Sequence, residues 1–191
     1  LPPLPEVLPE KIAKGLDSDF QRAQRTYEQA RARIQQKSKA KVLDALTQKA
    51  ELCTQIEALG PNAEQAKIAE LRQSLDAVTL ENNQLNKRFE QRLEALTNTN
   101  REDATERRRL LCIDLEILLA RKSPPEDAAL RMKIQLERMQ TQGIGQAHPQ
   151  QQAQIDELKI EWLCLPSAAP KMQLELDRRF KELVTSAQTK N

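Results

Sequence analysis

The side chains best suited to metal or nucleophilic chemistry in this 191-residue chain are His148, Cys53, Cys112 and Cys164, and their spacing supports neither role. His148 is the single histidine, set in a Gly- and Gln-rich stretch with no cysteine or acidic cluster beside it. One imidazole without partners makes a poor ligand set and a poor general base. The cysteines are far apart and never form a Cys-x-x-Cys pair, so neither a zinc site nor a disulfide framework is expected. Buried, reduced thiols are the expected state, which points to an intracellular compartment. Gly143-Ile144-Gly145 lacks the preceding strand and the remaining glycines of a phosphate-binding loop. Asp and Glu are scattered among Lys and Arg, as expected for solvated ion pairs on helix faces rather than paired catalytic carboxylates. No enzyme, cofactor or bound metal is expected.

Basic side chains are the remaining candidates. Arg22, Arg25, Arg31 and Arg33 are followed by Lys37, Lys39 and Lys41, against the single Glu28, a net +6 over twenty residues. Arg107-Arg108-Arg109 is a second cluster, and Lys171, Arg178, Arg179 and Lys181 a third. Such patches can contact phosphates, with binding that weakens steeply in salt. The arginines of the first cluster are spread around a helix, however, and stacking aromatics for single strands are nearly absent, at 3% of the chain. A solvated surface, or one that meets an acidic protein, competes with nucleic-acid binding here. The whole chain is close to balance at +2, so its net charge predicts no polyanion partner.

The elements that must carry these residues are helices. Leu16-Asp17-Ser18-Asp19-Phe20 and Leu176-Asp177-Arg178-Arg179-Phe180 share Leu-Asp-x-x-Phe, each ten or eleven residues after a proline, and Leu85 to Phe89 is a weaker copy. All three phenylalanines therefore lie four residues after a leucine, on the same helix face. Helix formers dominate, there are only four glycines, and no strand is credible, so the expected fold is all-α with narrow apolar seams.

Residues 1–15 read as a proline-rich arm and the start of a helix, 16–100 as a long helical hairpin resembling a coiled coil, and 101–191 as a bundle of three to four helices. In the first arm Leu16, Phe20, Ala23, Tyr27, Ala30 and Ile34 alternate four- and three-residue steps. The seam lapses near Lys37 to Lys41 and resumes at Val42. Gly60-Pro61-Asn62 signals a turn, and the returning arm runs over 63–97 with Asn82 on its seam, a position where a buried Asn fixes register. Ser123-Pro124-Pro125-Glu126 has the pattern of a capping box. Trp162, Leu176 and Phe180 are expected as packing anchors between the last two helices.

Trp162 followed by Leu165-Pro166 and Pro170, then Leu176 to Phe180, resembles the repeated unit of the bacterial family called domain of unknown function number 349. Leu8-Pro9 to Phe20 is similar to the second half of another copy, and the stretches Leu111 to Leu118 and Ser123 to Met132 to the segment that links copies. The resemblance implies a cytoplasmic, multi-copy helical protein of which this chain is a terminal piece; the start, which lacks both Met and a signal peptide, agrees. It implies no catalytic residue and no cofactor.

The function expected from these residues is a non-enzymatic scaffold that engages a protein partner and can self-associate through its seam. Leu59, Pro61 and Ile68, at the hairpin tip, are the expected partner contacts. The alternative is a ribonucleoprotein or nucleic-acid accessory factor using Arg22 to Lys41. No run of apolar residues is long enough to predict a membrane span.

Overall fold

The computed structural model describes residues 10–59, 65–98, 101–142 and 151–188. The proline-rich start, Pro61 and His148 lie outside these residues. The fold is all-α, with a long first helix. The order is α1 (Glu10–Leu59), α2 (Gln65–Ala77), α3 (Asn83–Asn98), α4 (Arg101–Leu118), a single 3-10 turn (Pro125–Asp127), α5 (Ala128–Gln142), α6 (Gln151–Cys164) and α7 (Pro170–Gln188). Among the described residues no helix is long and apolar enough to cross a membrane.

Two compact units divide the chain at residues 44 and 45. The described part of the first unit is helix throughout, and its side chains from Lys14 to Val42 are exposed. The second unit, 45–191, has two apolar clusters. In one, Leu46, Ala50 and Cys53 of α1 pack with Leu75, Leu80 and Phe89, and Cys164 of α6 joins them. In the other, Leu111, Cys112 and Leu115 of α4 meet Ile155 and Trp162 of α6 and Leu176, Phe180 and Leu183 of α7. The expected boundary near residue 100 falls inside this unit.

The returning arm is not one helix. It breaks between Ala77 and Asn83 into two helices, and Leu75 of α2 and Phe89 of α3, on either side of the break, both join the cluster of Leu46, Ala50 and Cys53 of α1. Asn82 is therefore not a seam residue: it is exposed, and its Oδ1 accepts the backbone N–H groups of Gln84 at 2.9 Å and Leu85 at 3.3 Å. These donors have no partner within the first turn, and a short amide side chain just outside the helix satisfies them. Leu80, in the break, supplies the buried apolar contact instead.

Ser123 does not cap the 3-10 turn, whose preceding residue is Pro124 with no side-chain cap. Its hydroxyl donates to a carboxylate oxygen of Glu116. The chain returns to that position because α4 ends in a left-handed residue, Ala120 with φ 53°. Arg121 N–H reaches Glu116 C=O at 2.8 Å and Ala120 N–H reaches Ile117 C=O at 3.1 Å, the paired bonds that close a helix C-terminus. Pro170, which has no N–H to lose, opens α7.

Candidate functional site

The seam of α1 stands apart because its apolar side chains are in water. Leu16, Phe20, Tyr27 and Ile34 are 56%, 67%, 66% and 69% exposed, and Ala23 and Ala30 between them are exposed too. Their 4-3-4-3-4 spacing keeps them on one face over about 28 Å of helix. Isolated surface leucines are ordinary, whereas a continuous apolar stripe marks an interaction surface. A shorter stripe lies on α5, where Met132, Leu136 and Met139 are exposed at positions i, i+4 and i+7.

All seven basic candidates of α1, Arg22, Arg25, Arg31 and Arg33 with Lys37, Lys39 and Lys41, are exposed. Of the other two basic clusters, Arg107, Lys171, Arg178 and Lys181 are exposed, whereas Arg108, Arg109 and Arg179 are drawn into the fold. Arg107 Nε donates to Glu161 at 3.0 Å, and Arg109 donates to Asp127 and, at 3.1 Å, to the Glu126 carbonyl. Arg179 forks onto Glu116 at 2.7 and 2.9 Å and reaches Asp127 at 2.6 Å. Burial pulls the Arg179 guanidinium down, but the bonds to Glu116 and Asp127 outweigh it and hold the group above its ordinary value. Arg109 and Arg179 thus neutralise the buried Asp127 and Glu116, whereas Arg107 pairs with the partly exposed Glu161.

Arg108 is buried beneath the turn between α6 and α7. It donates to the carbonyls of Pro166 at 2.8 Å and Leu165 at 3.1 Å, and to Asp177 at 3.3 Å. Its guanidinium carbon lies 4.5 Å from the centroid of the Trp162 ring, close enough for a cation–π contact. Burial, with the nearby Arg92 charge, pulls Arg108 down to about 10, so it remains a cation at neutral pH.

Arg92 and Glu57 form a second buried ion pair, Nε to Oε1 at 2.6 Å, with both side chains almost fully covered. Arg92 also donates to Thr54 Oγ1 at 2.9 Å and to the Leu163 carbonyl at 2.8 Å, while Glu57 accepts the Ser167 N–H at 3.1 Å and its hydroxyl. Glu57, Glu116 and Asp127 thus depart from the expected solvated carboxylates. Each is buried. Glu57 and Glu116 are each met by an arginine fork, which suits a carboxylate bidentately, and Asp127 accepts one bond each from Arg109 and Arg179.

A cleft of about 460 Å³ opens over these groups, lined among others by Thr47, Glu51, Arg92, Arg108, Trp162 and Asp177. Both of its arginines are committed to protein acceptors, which leaves little unspent charge for a ligand. Among the described residues no group of three His, Cys, Asp or Glu is placed to hold a metal ion. The thiols of Cys53, Cys112 and Cys164 are buried and unpaired in disulfides. Burial pushes Cys53 up to about 11 and Cys112 up to about 12, and raises Cys164 as well. Such thiols are poor nucleophiles at neutral pH.

Of the hairpin-tip candidates, Leu59 and Ile68 are half-buried and Pro61 lies outside the described residues. Leu176 is buried, and Trp162 and Phe180 stack at 4.0 Å between centroids. No family model matches the chain, and neither the curated proteins nor the solved structures contain a match to it.

Proposed function

We propose that this chain is a non-enzymatic helical scaffold, a protein-interaction module within a larger cytoplasmic protein built from several related helical copies. The observation that carries the reading is the exposed heptad face from Leu16 to Ile34. Covering a large apolar side chain contributes roughly 1.5–3 kcal/mol, so a partner that covers this face gains a substantial driving force. The shorter α5 stripe offers a second surface of the same kind.

The test is capture of partners from a bacterial lysate by the whole chain and by a Phe20→Glu/Tyr27→Glu variant. Both positions are exposed, so the variant keeps its helical content. A protein that survives nuclease and moderate salt, and is lost with the variant, supports the scaffold. Equal capture by both chains rules out this face.

A second reading rests on the exposed basic segment of α1. There, nucleic acid binds without sequence specificity through phosphate contacts. Retained RNA or DNA that is lost with salt, and lost in an Arg22→Glu/Arg25→Glu/Lys39→Glu/Lys41→Glu variant, would favour it over the scaffold. None of the four is one of the apolar positions Leu16, Phe20, Ala23, Tyr27, Ala30 and Ile34, and Lys39 and Lys41 lie beyond their end, so the variant leaves the apolar side chains in place.

A further inference from the structure

The face from Leu16 to Ile34 carries its own complement. Its core positions alternate large and small: Leu16, Phe20, Ala23, Tyr27, Ala30, Ile34. The residues that flank a coiled-coil core are acidic at its start, Asp17 and Asp19, and basic at its end, Arg31 and Arg33. All ten side chains are exposed. We propose that this face binds the same face of a second copy of the chain, antiparallel, with the twofold axis beside residue 25.

In that arrangement Leu16 lies against Ile34 of the second copy, Phe20 against Ala30 and Ala23 against Tyr27, each pairing occurring twice. Every aromatic ring thus meets an alanine, which keeps the six layers close to equal in volume. Flanking positions of antiparallel coils face their own kind, so Asp17 meets Arg31 along one edge and Asp19 meets Arg33 along the other. Four opposite-charge contacts result, and flanking charges of this type set partner choice and orientation.

The alternatives are poorer on the same criteria. A parallel pair sets Phe20 on Phe20 and Ala23 on Ala23, so layers alternate between overfilled and empty. It also places Asp19 beside Gln24 and Arg33 beside Ser38, with no ion pair. An antiparallel pair shifted by one heptad in either direction loses two layers and all four charge contacts. Size and charge therefore select one orientation and one register. Lys37 and Lys41 occupy the next two core positions, which ends the contact there.

The inference rests on reading α1 as an interaction surface, and it names the occupant. The test is sedimentation velocity of the full chain over a range of concentrations, with two charge variants, Asp17→Arg/Asp19→Arg and Arg31→Asp/Arg33→Asp. Each variant alone faces like with like and should raise the dimer dissociation constant about tenfold or more. Mixed one to one they restore opposite charges, so a heterodimer should return near the original affinity. Circular dichroism checks that both variants keep their helix. A chain that stays monomeric throughout, variants that dimerise as well as the parent, or a mixture that fails to rescue would each overturn the proposal. Partner capture from lysate can persist through all three results, so failure here is distinct from failure of the scaffold reading.

Discussion

Trp162 of α6 and Phe180 of α7 stack face to face, with 4.0 Å between ring centroids and 9° between planes. The Arg108 guanidinium also lies over the Trp162 ring, while its donors reach the Leu165 and Pro166 carbonyls of the turn between the two helices. One aromatic pair and one arginine thereby set how α7 folds back on α6, and the Leu-Asp-x-x-Phe motif in α7 is used for packing. Its Asp177 accepts from Arg108 at 3.3 Å, and its Arg179 neutralises Glu116.

Phe180→Ala should cost about 3–5 kcal/mol of stability, through lost apolar area and the cavity left behind. Phe180→Leu retains most of the area and loses the stacking, so its cost should be nearer 1–1.5 kcal/mol. Urea unfolding followed by circular dichroism measures both. Trp162 is the only tryptophan, so its fluorescence reports this contact directly. Equal costs for the two variants would mean that ring geometry contributes nothing beyond area.

The Arg92–Glu57 pair should behave as a unit. Removing one partner leaves the other charge buried among α1, α3 and the Leu163–Ser167 stretch, where its remaining contacts cannot neutralise it. Arg92→Met and Glu57→Gln should each be destabilising, Arg92→Met by about 3–5 kcal/mol, and the double variant should cost well below their sum. A double-mutant cycle in urea gives the coupling. Additivity within about 0.5 kcal/mol would show that the two charges do not depend on each other.

How much of this was legible in the sequence depended on the range of the contacts. The seam of α1 and the anchors Trp162 and Phe180 follow from local spacing, and the helical class follows from composition. Glu57, Glu116 and Asp127 look like any surface acid, because Arg92 lies 35 residues from Glu57, Arg179 lies 63 from Glu116 and 52 from Asp127, and even Arg109 lies 18 from Asp127. Only the fold brings them together. The break after Ala77 had a local signal, since Asn82 precedes a periodic run as a capping residue would. An unbroken seam through Asn82 fitted the apolar spacing equally well, and the burial of Leu80 decided between them.

Ala120 offers a simpler test of the α4 terminus. With φ at 53° it holds a conformation that crowds a Cβ against the backbone, and glycine adopts it at little cost. Ala120→Gly should stabilise the chain by about 0.5–1 kcal/mol, the gain in the native turn being partly offset by a freer unfolded chain. A lower urea midpoint for the glycine variant would contradict this account of the turn.

The buried thiols predict a specific alkaline weakness. In the folded chain burial pushes Cys112 up from 9.0 to about 12 and Cys53 to about 11, and Cys164 moves in the same direction. Below pH 9 each thiol is protonated in both states, so its contribution to stability is complete. Above pH 9 the unfolded chain ionises first and stability falls, until the folded thiol also ionises near pH 11 for Cys53 and near pH 12 for Cys112. Each thiol in its window contributes a loss of about 1.4 kcal/mol per pH unit. Urea midpoints under reducing conditions, at about pH 8 and about pH 10.5, should show this fall. Cys112→Ala lowers stability at both values through its cavity, but its alkaline fall should be shallower than the parent's by the share of one thiol. Equal falls in the two chains would mean that Cys112 ionises as readily folded as unfolded, which its full burial between α4 and α7 does not allow.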